Sequence, residues 1–145
     1  MANKTLDVMT ILGGKNKLPL DILSGMSYIK IAKIGLTKQN FESLRQNTSI
    51  DVNTLASLLS ITSRTIQRKK STDKFKPVAS EKMLSVADLY AKGYEVFDDK
   101  TKFQKWMNTS NKALGGKSPI AIADTHYGME LIEDVLGRIL YGVIS

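Results

Sequence analysis

Residues 51–70 read Asp51-Val-Asn-Thr-Leu-Ala-Ser-Leu-Leu-Ser-Ile-Thr-Ser-Arg-Thr-Ile-Gln-Arg-Lys-Lys70. Val52, Leu55, Ala56 and Leu59 recur at helical spacing and mark one face of a short helix. Ser60-Ile61-Thr62 interrupts it, and Ser63 offers an N-cap for a second helix carrying Ile66. A helix-turn-helix needs a small residue where its helices cross, an apolar residue just past the turn, and an apolar anchor on the second helix. Ala56, Ile61 and Ile66 supply these three.

The second helix presents Arg64, Thr65, Gln67, Arg68 and Lys69, with Lys70, Lys74 and Lys76 following. Arg and Gln make paired hydrogen bonds to guanine and adenine edges, while lysines near a helix end suit phosphates. The candidate DNA contacts are therefore Ser63, Arg64, Thr65, Gln67, Arg68, Lys69 and Lys70. Two departures oppose this reading. Ser60 fills the turn position often taken by Gly, and Lys69 and Lys70 replace the apolar residue that would close the core late in the second helix. A plain pair of packed helices with a solvated basic end is the competing reading.

The charge of this segment fits either a solvated lysine-rich surface, which composition alone favours, or a polyanion partner. Residues 45–76 carry +5 of the net +7, residues 1–44 carry +3, and residues 77–145 carry −1. Each phosphate that a cation neutralises releases condensed counterions, so the middle of the chain is where nucleic acid would be drawn.

Upstream, residues 1–20 read as an arm: a short apolar stretch from Val8 to Leu12, then Gly13-Gly14, then a turn ending at Pro19. Helical spacing begins at Asp21 with Ile22, Leu23 and Met26 and continues through Ile29 to Ile34. Gly35 separates this run from a helix that Thr37 would cap, carrying Phe41 and Leu44. Downstream of Pro77, Ser80 is the expected cap of a long amphipathic helix reaching Val96 and Phe97, which Gly93 weakens by about 1 kcal/mol relative to Ala. Asp98-Asp99 begins the next element, where Phe103, Trp106 and Met107 form an aromatic core group. Strand-like alternation is scarce, and the expected fold is all-α. A helix-turn-helix domain over 35–95 follows an N-terminal arm and helices over 1–34 and precedes a small helical domain over 96–145.

With 145 residues, 42% of them hydrophobic and 24% charged, the composition matches a folded globular protein and excludes wholesale disorder and fibrous architectures. Cysteine is absent, which removes disulfides, thiolate metal sites and cysteine nucleophiles. The sequence shows no secretory leader and no apolar run long enough to span a bilayer, so the expected location is cytoplasmic, with no membrane partner.

The last third reads Phe103-Gln-Lys-Trp-Met-Asn-Thr-Ser-Asn-Lys-Ala-Leu-Gly-Gly-Lys-Ser-Pro-Ile120, then Asp124-Thr-His-Tyr-Gly128, then Val135-Leu-Gly-Arg-Ile-Leu-Tyr-Gly-Val-Ile-Ser145. This run resembles the C-terminal toxin-binding domain of the Xre/MbcA/ParS antitoxins, with its W-x-x-x-x-N-x-A-L-G-G-x-x-P, D-T-x-x-G and L-G-R-I-x-x-G-V patterns. Gly13-Gly14, Gly35-Leu36 and the segment from Ile61 to Lys69 also resemble that family's upstream landmarks. The resemblance implies an Xre-like DNA-binding domain and an antitoxin that occludes the active site of a RES-domain, NAD-consuming toxin with its C-terminal segment. It also implies repression of its own promoter and no cofactor. The expected partners are that toxin and operator DNA, with the chain forming a homodimer inside a hetero-oligomeric complex.

The residues carry that division of labour in their own terms. Gly115-Gly116 supplies a turn, and Ser118-Pro119 is a favoured order for starting a helix. Leu131, Ile132, Val135, Leu136, Ile139 and Leu140 form a broad apolar stripe that must cover the core or a partner. Tyr141, Gly142, Val143 and Ile144 read as a docking peptide, with folding back over the chain's own helices as the alternative. The candidate toxin contacts are Leu136, Arg138, Ile139, Tyr141, Gly142, Val143, Ile144 and Ser145. Arg138 would pair either with Asp134 four residues earlier or with a carboxylate of the toxin.

No catalytic constellation is found. Gly115-Gly116-Lys117-Ser118 imitates a phosphate-binding loop, but Asn111 stands where that loop requires Gly. His126, the single histidine, has no companion ligands and reads as a surface or helix-start residue. The expectation is a non-enzyme without metal or cofactor. Two other readings stay open: a helix-turn-helix transcription regulator without a toxin partner, and an immunity-like inhibitor whose helix-turn-helix is vestigial.

Overall fold

A computed structural model describes residues 7–14 and 25–142. Ile22 and Leu23, and the expected contacts Val143, Ile144 and Ser145, lie outside the described residues. The described chain is all-α. Its helices are α1 (Val8–Ile11), α2 (Gly25–Ile34), α3 (Lys38–Thr48), α4 (Val52–Leu58), α5 (Ser63–Gln67), α6 (Pro77–Phe97), α7 (Lys100–Met107), α8 (Pro119–Ile122) and α9 (His126–Leu140). A 3₁₀ turn covers Lys112–Leu114, and extended pairing among the described residues is limited to the isolated bridges Thr37 with Lys74 and Asn111 with Lys117. No helix among the described residues is long and apolar enough to cross a membrane.

The chain forms two compact units, one from Asp7 to Asp88 and one from Leu89 onward. In the first, α3 is the hub. Thr37 caps it and Asn40 completes the capping box, its carboxamide oxygen 2.9 Å from the Thr37 amide nitrogen. The other face of the buried Asn40 carboxamide donates to the Leu12 carbonyl at 2.8 Å, and Asn47 donates to the Ile11 carbonyl at 3.2 Å. Residues 8–12, expected within an arm, are thereby fastened to α3 as a helix with Ile11 and Leu12 fully buried. Phe41, Leu44, Leu55, Leu59 and Met83 complete this core, each burial contributing about 1.5–3 kcal/mol.

Ser80 does not cap α6. The helix begins at Pro77, whose fixed φ suits a first helical position. Ser80 sits one turn in, fully buried, where its hydroxyl accepts from the Leu36 amide at 2.9 Å and donates to the Phe75 carbonyl at 3.3 Å. A hydroxyl that reads as a cap in sequence instead joins two loops. Gly35, at φ +99°, leaves no room for a side chain, because a Cβ there would stand 2.7 Å from the Phe75 carbonyl oxygen. Between α2 and α6, the Tyr28 hydroxyl lies 3.5 Å from Asp88, and burial followed by that carboxylate pushes its pKa up to about 12.

The second unit is built on aromatic packing. Phe103 meets Tyr90 and Tyr94 edge-on at 5.1 and 5.7 Å and stacks on Trp106 at 5.8 Å. Gly93, expected as a weak point in α6, is the seat of this cluster: a Cβ there would overlap the Phe103 ring. Burial pushes the Tyr90 and Tyr94 hydroxyls up in pKa, partly opposed at Tyr94 by a bond from Gln104 at 2.9 Å. Asp99 caps α7, accepting from the Lys102 amide at 3.0 Å.

Two candidate binding surfaces

The first surface is carried by α4, α5 and the loop after them. Asp51 caps α4 by accepting from the Thr54 amide at 2.7 Å, and this bond holds the carboxyl below its ordinary pKa. α4 then ends in a reciprocal pair of backbone bonds: Ile61 N–H to the Ala56 carbonyl at 3.0 Å and Ser60 N–H to the Ser57 carbonyl at 3.1 Å. This closure requires a left-handed residue at the turn, and Ser60 adopts it at φ +58°. The preference for Gly at this position is thus a backbone requirement that Ser60 meets under strain.

Thr62, not Ser63, caps α5, accepting from the Thr65 amide at 3.1 Å. Adjacent hydroxyls look equivalent in sequence, but the extended backbone required of a cap falls on Thr62. Ser63 is the first helical residue, and its hydroxyl donates to Asn53 at 2.6 Å, tying α5 to α4. Ala56 and Ile66 are buried and Ile61 is half-buried. Arg64, Thr65, Gln67, Arg68 and Lys70 are exposed and Ser63 is half-buried.

Lys69 behaves differently from its neighbours. Its ammonium donates to the Lys74 carbonyl at 2.8 Å and lies 4.9 Å from the Phe75 ring centroid, so its stem lies along the apolar surface that was expected to lack a cover. Phe75 is itself buried against Phe41 at 5.8 Å. It was missed in sequence because a lone aromatic among lysines shows no periodicity. The loop it anchors returns to α3, where the Lys38 and Gln39 amides donate to the Asp73 and Ser71 carbonyls, both at 3.0 Å. The basic end of α5 is therefore fixed to the hub helix by main-chain bonds.

The second surface is carried by the last helices. Asn111 accepts from the Ala113 amide at 2.9 Å, and its carbonyl receives the Gly116 amide at 2.9 Å. Gly115 and Gly116, at φ +70° and +84°, close this loop in conformations that a side chain would strain. Ser118 holds the cap position before Pro119, but its hydroxyl makes no capping bond. Thr125 does cap α9, accepting from the Gly128 amide at 2.9 Å. Gly128 is required for a second reason: a Cβ there would overlap the Ile122 carbonyl oxygen at the end of α8. The Asp124-Thr-His-Tyr-Gly128 run is thus a tight joint between α8 and α9. His126 is the first residue of α9 and lies 3.3 Å from Glu130.

The candidate toxin contacts separate on α9. Leu136 faces the core at 3% exposure and Ile139 is half-buried, while Arg138 is exposed and Tyr141 is 80% exposed. Gly142 follows at φ +71°. Asp134 and Arg138 form no ion pair, which leaves both charges to solvent. The apolar stripe expected to cover the core is split: Ile132, Val135 and Leu136 are buried, but Leu131 and Leu140 are 51% and 58% exposed. Tyr127, 77% exposed, was not among the expected contacts because it lies a full three turns before the tail.

Residues 92–142 match the family model described as the antitoxin Xre/MbcA/ParS C-terminal toxin-binding domain. Over 123 residues, 83% of each chain, the protein is also 28% identical to one named Antitoxin Xre from Yersinia enterocolitica serotype O:8 / biotype 1B (strain NCTC 13174 / 8081).

Proposed function

We propose that this chain, an Xre/MbcA/ParS-type antitoxin with a toxin-binding C-terminal domain, neutralises a RES-domain, NAD-consuming toxin by occluding its active site with the segment after α9. The observation that carries the reading is the end of α9. Within the matched domain the helix runs out into exposed Leu140 and Tyr141, apolar groups that no other described residue covers. Arg138, one turn earlier and without a carboxylate partner among the described residues, is available to a toxin acid. The chemistry of the system belongs to the toxin, and the antitoxin supplies shape and needs no cofactor. Removing Tyr141 to Ser145 is expected to abolish neutralisation of a co-expressed RES-domain toxin while leaving the thermal melt unchanged. Normal rescue of growth by the truncated chain would overturn the occlusion reading.

The same chain represses its own operon by placing α5 in the major groove. In support, Arg64, Thr65 and Gln67 are exposed on α5, whose opposite side is anchored by Ile66, and Arg68 at its C-cap and Lys70 in the loop after it are exposed as well. Lys69, engaged by Lys74 and Phe75, contributes field rather than a base contact. An Arg64→Ala, Arg68→Ala chain is expected to lose roughly tenfold or more in affinity per Arg that reads a base, and to flatten the salt dependence by about one unit of slope per lost phosphate contact. A gel shift with the upstream DNA at several salt concentrations measures both. Unchanged binding by the double variant would leave the helix-turn-helix vestigial.

A further inference from the structure

We propose that the toxin docks along the outward face of α9, on a seam of Tyr127, Leu131, Asp134 and Arg138 with a backbone notch at Gly137, upstream of the occluding tail that begins at Tyr141. The inference rests on the antitoxin reading above and enlarges its contact surface by three turns of helix.

Three observations carry it. Four of the seven large apolar side chains exposed among the described residues, Tyr127, Leu131, Leu140 and Tyr141, belong to α9 or the residue that ends it. Spaced four, three and four residues apart, Tyr127, Leu131, Asp134 and Arg138 fall on one line of the helix, the repeat with which a helix meets another elongated element. The third observation is Gly137, beside that line. It has ordinary helical backbone, so no left-handed turn requires Gly, and a Cβ built on it meets nothing within 4 Å. Gly is the poorest helix former after Pro. The two other helical glycines of this unit, Gly93 and Gly128, each receive a neighbouring group that a Cβ would strike. At Gly137 no described group fills that place, which leaves room for a partner's backbone.

The occupant is the toxin. The matched toxin-binding domain contains the whole of α9, and the seam runs without a break into the segment proposed to enter the toxin's cavity. The seam's charges narrow the chemistry of the partner surface. Asp134 and Arg138 have no ion-pair partner among the described residues and lie between apolar ones, so the toxin must offer a groove with an apolar floor, one cation and one anion.

Gly137→Leu in the full chain tests this against the purified RES-domain toxin that the chain neutralises in co-expression. Because a Cβ there meets nothing within 4 Å and Leu favours helix over Gly, the variant is expected to melt at or above the wild-type temperature, yet to bind the toxin at least about thirtyfold more weakly, as disruption of a central contact does. Leu131→Glu, on the exposed line, should weaken binding to a similar extent. Binding by both variants within threefold of wild type overturns the docking face while leaving the tail's role standing. Failure of the wild-type chain to bind overturns the antitoxin reading itself. If instead either variant changes the mass of the antitoxin alone, the seam joins two copies of this chain and the toxin assignment falls.

Discussion

α5 and α9 both present a surface to solvent, but they are held in place by opposite means. α5 has five residues, too few to be stable alone, and it persists because its surroundings pin it. Ile66 is buried beneath it, Ser63 bonds to Asn53, and the following loop is bonded back to α3. α9 has fifteen residues and is held chiefly by one apolar side, Ile132, Val135 and Leu136, while Tyr127, Leu131, Arg138 and Leu140 stay exposed. The difference follows what each surface offers. A charged surface is well solvated and tolerates a short helix whose fixing points are polar. An apolar surface exposed to water needs a long helix whose other side already lies in a core.

The strongest challenge to that contrast is one apolar truncation on each helix. Ile66→Ala empties the anchor under α5 and is expected to cost about 2–5 kcal/mol of stability in chemical denaturation, and with it the DNA binding proposed for that helix. Leu131→Ala on α9 should stay within about 0.5 kcal/mol of wild type, because that side chain is half in water already. Equal losses would mean that the outward face of α9 is structural.

Mid-helix glycines sharpen the comparison within one unit. Gly93→Ala drives a methyl into the Phe103 ring, which is itself fully buried, and should cost about 1–3 kcal/mol. Gly137→Ala should instead stabilise by up to about 1 kcal/mol, since helix propensity acts there without a clash. At the turn before α5, Ser60→Gly should stabilise by about 0.5–1 kcal/mol, relief of the left-handed strain being partly offset by Gly's greater freedom when unfolded. Thermal melts of the three variants rank them.

Most of the architecture was legible because it is local. Thr37 and Asp99 cap where their position before a periodic run says they should, and Ala56 and Ile66 are buried as the spacing requires. What escaped was decided by partners far away in sequence. Ser80 resembles a cap until Leu36, forty-four residues earlier, claims its hydroxyl. Gly93 resembles a defect until Phe103 fills it, and Lys69 resembles a gap in the core until Phe75 appears under its stem. On the binding surfaces, residue type was readable but orientation was not. A two-residue step along α9 turns a side chain by about 200°, so Leu136 and Arg138 lie close in sequence yet face the core and the solvent.

Acid separates the two surfaces by the chemistry of their caps. α4, which supports α5, is capped by the carboxylate of Asp51, while α9 is capped by the hydroxyl of Thr125, which does not titrate. The bond from the Thr54 amide lowers the Asp51 pKa below its ordinary value of 3.8, so the folded state prefers the ionised form. The contribution is therefore complete above that ordinary value and is lost as pH falls through the lowered one. Asp51 is fully exposed, so the effect is small and local: exchange of the Thr54 amide should quicken, relative to its intrinsic rate, as the solution is acidified through this range. The Gly128 amide, bonded to Thr125, should show no such cap-dependent step. Asp51→Asn keeps an accepting oxygen and loses the titration, so in that variant the Thr54 step should vanish. If it persists, acid acts on the first unit through a group other than this cap.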